Sequence, residues 1–298
     1  MKQQNSKAEK NKINFIIPDF LNVDECTYLL STFREHPELY KDNINISGFC
    51  GEFVGCKWNK NKKFDRYKLN LEIIESLKKR YNDELKVSMI IMFDKEDINY
   101  MDLEDEYCNE IMKIFDNVLN YILCKSAKLR EYIREKYKNI KIINHHEVAE
   151  NNSDFVIMDY ETYSNGRFKD KDNSKIILFT DGGNLPNKNW LFKHSIRDSK
   201  LNVINPKKDK YYSKNSGNSF FNMKKRNYMN YVQIKEFAEL GVNTFILSGL
   251  GVYNVAMIEN IVDFLYKEEY KMDARIILYR KLLGLKEQKQ NAIFQYRL

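Results

Sequence analysis

The sequence of 298 residues sets 49 Lys and Arg against 42 Asp and Glu, a formal charge of +7, with 43% hydrophobic and 13% aromatic residues. This length suits one large α/β barrel or two ordinary domains, and aromatic content with only 4 Pro and 11 Gly excludes a chain that stays disordered. Apolar runs such as Val87–Phe93 fall far short of the roughly 18 residues a membrane-spanning helix needs, so no membrane partner is expected and the cytoplasm is the expected location.

In chain order, residues 1–12 are polar, carry four lysines and precede no apolar signal segment; they read as a disordered basic arm. Short apolar runs then alternate with amphipathic stretches. Strands are predicted at Ile13–Ile17, Gly51–Trp58, Val87–Phe93, Asn120–Cys124, Ile140–Asn144, Asp154–Tyr160, Lys175–Thr180 and Asn243–Ser248. Helical spacing joins Ile111, Ile114, Phe115, Val118 and Leu119, and again Val255, Ile258, Ile261, Val262 and Leu265. Continuous apolar strands are buried on both faces, and eight of them close a parallel barrel. The expected fold is therefore a single-domain (β/α)8 TIM-like barrel over 13–285. A long excursion without periodicity occupies 195–227, a last helix Met272–Leu283 stops at Gly284, and 286–298 form a tail.

Five cysteines, at 26, 50, 56, 108 and 124, are odd in number and include no CxxC pair. They are expected as reduced thiols without a disulfide framework. Cys50 and Cys56 lack the second ligand pair that a structural zinc site requires, and the residues identify no particular metal.

A barrel of this class gathers its chemistry where the strands end at their C-terminal edges. Polar residues there are Asp19, Glu52, Lys57, Asp94, Asn144, His145, His146, Asp159, Glu161, Asp181, Asn184 and Ser248. Carboxylates and imidazoles suit acid–base chemistry or a divalent cation. Glu52, His145, Asp159, Asp181 and, if its loop folds back, His194 are the candidate catalytic residues; of His145 and His146, adjacent on a strand, one at most faces the mouth. In Leu247–Asn254, LSGLGVYN, the backbone at Ser248, Gly249 and Gly251 offers a phosphate or anion cradle, or only a tight turn. GxxxxGK[ST], GxSxG and GxGxxG are absent, which removes the usual nucleotide, serine-hydrolase and dinucleotide readings.

Positive charge clusters at 57–68 and 207–226. In the second stretch Lys207, Lys208, Lys210, Lys224, Lys225 and Arg226 interleave with Tyr211 and Tyr212, a mix of cations and stacking faces that suits single-stranded RNA or an acidic partner, although in a chain this rich in lysine and asparagine such a composition is more often that of a solvated loop.

INFIIPDF at the first strand, DFVIMDYE at the sixth, KIILFTDGGNLPNKNWLFKHS at the seventh and ELGVNTFILSGLG near the end resemble in layout the collagenase-like peptidases of family U32. That resemblance implies a TIM barrel and a hydrolase or an RNA- or peptide-modifying activity. Asp181 stands where the family has Asn and His194 where it has His, but Asn184 and Lys188 occupy the apparent cysteine positions, and Leu247 and Leu250 replace the expected Lys and Arg. The iron–sulfur cluster of the family is therefore not expected here. A non-catalytic binding module for RNA or an acidic partner, and an assembly or regulatory subunit using the last helix, are the alternatives the residues leave open.

Overall fold

The computed structural model describes residues 12–53, 55–60, 68–145, 153–164, 172–180, 229–247 and 255–281. Eight parallel strands, β1 (Ile13–Pro18), β2 (Ile44–Gly51), β3 (Ser88–Phe93), β4 (Tyr121–Cys124), β5 (Lys141–His145), β6 (Phe155–Asp159), β7 (Ile176–Phe179) and β8 (Thr244–Ile246), pair in sequence order and close into a barrel through β1 and β8. Between and after them run α1 (Val23–Glu35), α2 (Leu71–Lys78), α3 (Tyr100–Leu103), α4 (Glu106–Phe115), α5 (Ala127–Lys136), α6 (Tyr160–Ser164), α7 (Tyr231–Glu239), α8 (Val255–Leu265) and α9 (271–281).

Alternation along each strand divides the apolar residues between two compartments. Ile16, Cys50, Ile90, Met92, Leu123, Ile143, Ile157, Ile177 and Ile246 fill the barrel interior as one cluster. Their neighbours, among them Phe15, Ile17, Phe49, Ile91, Phe93, Ile122, Ile142, Met158 and Phe245, point outward into the core shared with the helices. The backbones of β2 and β3 approach closely at Gly48, where a Cβ would lie 2.7 Å from the Ser88 carbonyl oxygen. Helix starts follow from side-chain caps: Asn70, Asp105, Ser126 and Asn230 each accept a hydrogen bond from a backbone N–H in the first turn of the helix that follows.

Seven of the eight strands lie where the apolar runs place them, within a residue or two. The second does not: β2 is Ile44–Gly51, not Gly51–Trp58. The latter stretch is apolar because it folds across the top of β3, with Phe53 5.1 Å from Phe20 and 5.4 Å from Phe115, and Trp58 5.1 Å from Phe93 (ring centroids). The periodicity through Val118 and Leu119 likewise overshoots. Helix α4 ends at Phe115, and both residues are exposed, at 62% and 42%. Asp116 ends the helix by accepting hydrogen bonds from the backbone N–H groups of Asn139 and Ile140 ahead of β5.

The cysteine expectation is also corrected. Cys26, Cys50 and Cys124 are free and buried, but Cys56 and Cys108 form a disulfide that ties the segment after β2 to α4. Fifty-two residues separate the pair, so no sequence spacing announced it. Among the described residues, no helix is long and apolar enough to cross a membrane. The basic arm, the 195–227 excursion, Gly284 and the tail lie outside the described residues.

Candidate active site at the barrel mouth

Each strand with a packed interior residue brings the residue two positions later to the C-terminal mouth, on the same inward face. Cys50 thus leads to Glu52, Met92 to Asp94, Leu123 to Lys125, Ile143 to His145 and Ile157 to Asp159. The register then sets which of these are neighbours. Phe93 pairs with Cys124 and Cys124 with Asn144, so Asp94, Lys125 and His145 follow side by side on three successive strand ends. Gly51 pairs with Ile91, which puts Glu52 one step lower, diagonal to Asp94. His145 pairs with Ile157, and Asp159 therefore stands one inward step above it.

Glu52 is the most unusual of these groups. It is 3% exposed, and among the described residues its Oε1 has no hydrogen-bond partner. Burial pushes its carboxyl well above the ordinary carboxylate range, and the nearby Asp94 charge pushes it the same way. Asp94 is buried too, and its carboxyl is likewise raised by desolvation. A bond from the Lys60 backbone N–H at 2.6 Å and the charges of Lys60 and Lys125 oppose that rise. The result is two coupled carboxyls in one low-dielectric site, with cations biasing the proton toward Glu52. Above them Glu96 sits between Lys60 at 2.8 Å and Lys125 at 3.8 Å; hydrogen bonding to Lys60 holds its carboxyl below the usual range.

The segment that holds this pair is short. The Asn59 side chain donates to the Phe53 carbonyl at 3.2 Å and accepts from the Asp94 backbone N–H at 3.2 Å, so one amide clips the end of β2 to the end of β3. Lys95 N–H donates to the Trp58 carbonyl at 3.1 Å. Trp58 is anchored in turn by its indole N–H to the Asp102 carbonyl at 2.7 Å, and Cys56 by its bond to Cys108.

Of the candidate catalytic residues, Glu52, His145 and Asp159 therefore lie on the inward face at the mouth. Asp159 is engaged as a helix cap, accepting from the Thr162 N–H at 2.7 Å and hydroxyl at 2.8 Å at the start of α6. Asp94, from the census of strand ends, belongs with Glu52. Lys57 does not; it points away to Asp105, 3.2 Å distant. Asp19 is buried below the mouth in a left-handed turn after β1 (φ 79°), bonded to the Asn22 amide. Lys125 was missed because the polar residues singled out at the strand ends include none after the fourth strand; the signal was its position two residues beyond Leu123. Cys50 faces the barrel interior and Cys56 is bonded to Cys108, so the two do not form a metal-ligand pair. Among the described residues no three His, Cys, Asp or Glu side chains converge on one point. Asp181, His194, the Ser248, Gly249 and Gly251 cradle, His146, Asn184 and the basic segment from Lys207 to Arg226 lie outside the described residues.

No protein-family model matches this sequence, and no curated protein matches it.

Proposed function

We propose that the chain is a barrel enzyme that works by general acid–base catalysis at the C-terminal mouth, with Glu52 as the proton donor and Asp94 as its coupled carboxylate. The observation that carries this reading is the buried, unpartnered Glu52 oxygen beside Asp94. A fold gains nothing from such a group unless the acid has work to do, because an unsatisfied buried polar atom costs about 1–3 kcal/mol. A carboxyl whose burial favours the protonated form can hand its proton to a leaving group or a carbonyl oxygen. Asp94 can take up a proton in return, and the adjacent Lys125 ammonium can stabilise negative charge that develops between them.

These roles fit a hydrolase or a peptide- or RNA-modifying enzyme, the class that the layout resemblance to the U32 peptidases also implies. The chemistry assigned here needs no iron–sulfur cluster. The test is product detection by mass spectrometry after incubation with a panel of peptides and RNA oligonucleotides. The protein should turn over at least one substrate, and Glu52→Gln and Asp94→Asn should each slow it by about 10²–10⁴-fold, the usual worth of a positioned acid or base. Turnover that survives both substitutions would show the acid pair to be idle.

A further inference from the structure

On the opposite, N-terminal face of the barrel, a pocket of about 590 Å³ opens between the start of β1, residues 41–43 ahead of β2, helix α7 and residues 267–269. Small-molecule sites commonly occupy roughly 300–1,000 Å³. Tyr231, the first residue of α7, lines it. The Lys41 Nζ lies 4.4 Å from the centroid of the Tyr231 ring and the Lys235 Nζ lies 5.2 Å from it. The Tyr231 hydroxyl itself is buried, without a hydrogen-bond partner among the described residues, and burial and the Asp42 charge keep it protonated.

The charges around this phenol are unevenly spent. Asp42 stands 3.9 Å from Lys267, Glu268 is 2.8 Å from Lys271, and Asp263 is shared by Lys271 at 3.3 Å and Arg275 at 3.5 Å. Glu239 and Glu269 are exposed at the rim. Lys41 donates to the Asp263 backbone carbonyl, in the last turn of α8, but among the described residues neither Lys41 nor Lys235 has a carboxylate within ion-pair distance. Burial, then Lys271 and Lys235, push the Lys41 amine down to about 8 against the opposing pull of Asp263 and Glu268. Two crowded cations thus flank one aromatic ring in the wall of one recess.

We propose that this pocket is a binding site for a small ligand bearing one oxyanion group, a carboxylate or a phosphate, held between Lys41 and Lys235 beside the Tyr231 ring. Such a group accepts hydrogen bonds from both ammonium groups and relieves the repulsion between them. The acids at the rim restrict the ligand to one that carries little further negative charge. The site lies at the end of the barrel away from Glu52 and stands independently of the acid–base reading.

Inorganic phosphate and acetate are the probes, titrated against the full chain by calorimetry and thermal shift, with sodium chloride at matched ionic strength as reference. Saturable stabilisation beyond chloride is expected from at least one. A response to phosphate alone assigns a phosphoryl ligand, and a response to acetate assigns a carboxylate. Lys235→Met and Lys41→Met should each weaken binding about tenfold, the loss of one charge-assisted hydrogen bond. In NMR titrations of the Lys41 side chain, bound anion should move its titration upward from about 8. Absence of saturable stabilisation by either probe overturns the proposal, and so does binding that both variants retain unchanged.

Discussion

The disulfide between Cys56 and Cys108 lends itself to a quantitative test. It closes a loop of 52 residues, and cross-linking a loop of that length lowers the entropy of the unfolded chain by an amount worth about 4 kcal/mol at 25 °C. Unfolding of a 298-residue chain carries about 2.1 cal/mol/K per residue, so the same free energy corresponds to roughly 6 °C in the melting temperature. Calorimetry of the oxidised protein, of the protein reduced by a dithiol during mild denaturation and refolded, and of the Cys56→Ala/Cys108→Ala double variant measures the effect. The reduced and double-variant proteins should melt lower by similar amounts, and only the oxidised protein should respond to reductant. Both sulfurs are buried, so reduction without opening should be slow. Thiol titration in denaturant without reductant should count the three free cysteines 26, 50 and 124. A count of five, or a melting difference below about 2 °C, would refute the reasoning from the constrained loop.

Two further expectations concern the acid pair. Asn59→Ala removes the clip between the ends of β2 and β3 and leaves a Phe53 carbonyl and an Asp94 N–H without that partner; it should cost about 1–3 kcal/mol in denaturant unfolding. The Glu52 carboxyl titrates higher when folded than when unfolded. Its contribution to stability is therefore complete below the unfolded carboxylate range near 4.3 and is lost as pH rises through the folded value. Glu52→Gln should flatten that part of the stability–pH curve, and a curve unchanged by the substitution would place the Glu52 titration near its unfolded value.

Much of the barrel was legible because its strands are runs such as IIMF and IILF, whose β-branched and aromatic residues satisfy an interior and an exterior compartment together. β2 was not, and its residues explain why. INISGFCG carries Asn45, Ser47 and Gly48, the glycine where the β3 backbone comes too close for a side chain, and such residues read as a turn. The aromatics of 53–58 supplied the apolar signal instead, although their place is over β3. At the site, period-two spacing brings Glu52, Asp94, His145 and Asp159 to the mouth by the same rule that identifies the strands. What spacing alone could not supply was the pairing between strands. The lateral adjacency of Asp94, Lys125 and His145 is a property of register, and the coupling of Glu52 to Asp94 depends on an Asn59 bridge and a disulfide that join distant segments.

The inward row also bears on how such a chain can change over generations. Each mouth residue sits an even number of positions beyond a packed interior residue: Met92 then Asp94, Leu123 then Lys125, Ile143 then His145. Deleting or inserting one residue within a strand would turn Phe93 or Cys124 toward the opening and send its charged neighbour into the helix-facing layer. Additions beyond the mouth residues leave the parity untouched, so connecting segments can lengthen and diversify while the strands keep their count. Variation that alters which molecules are admitted is thus separated in the chain from variation that would scramble the groups receiving them.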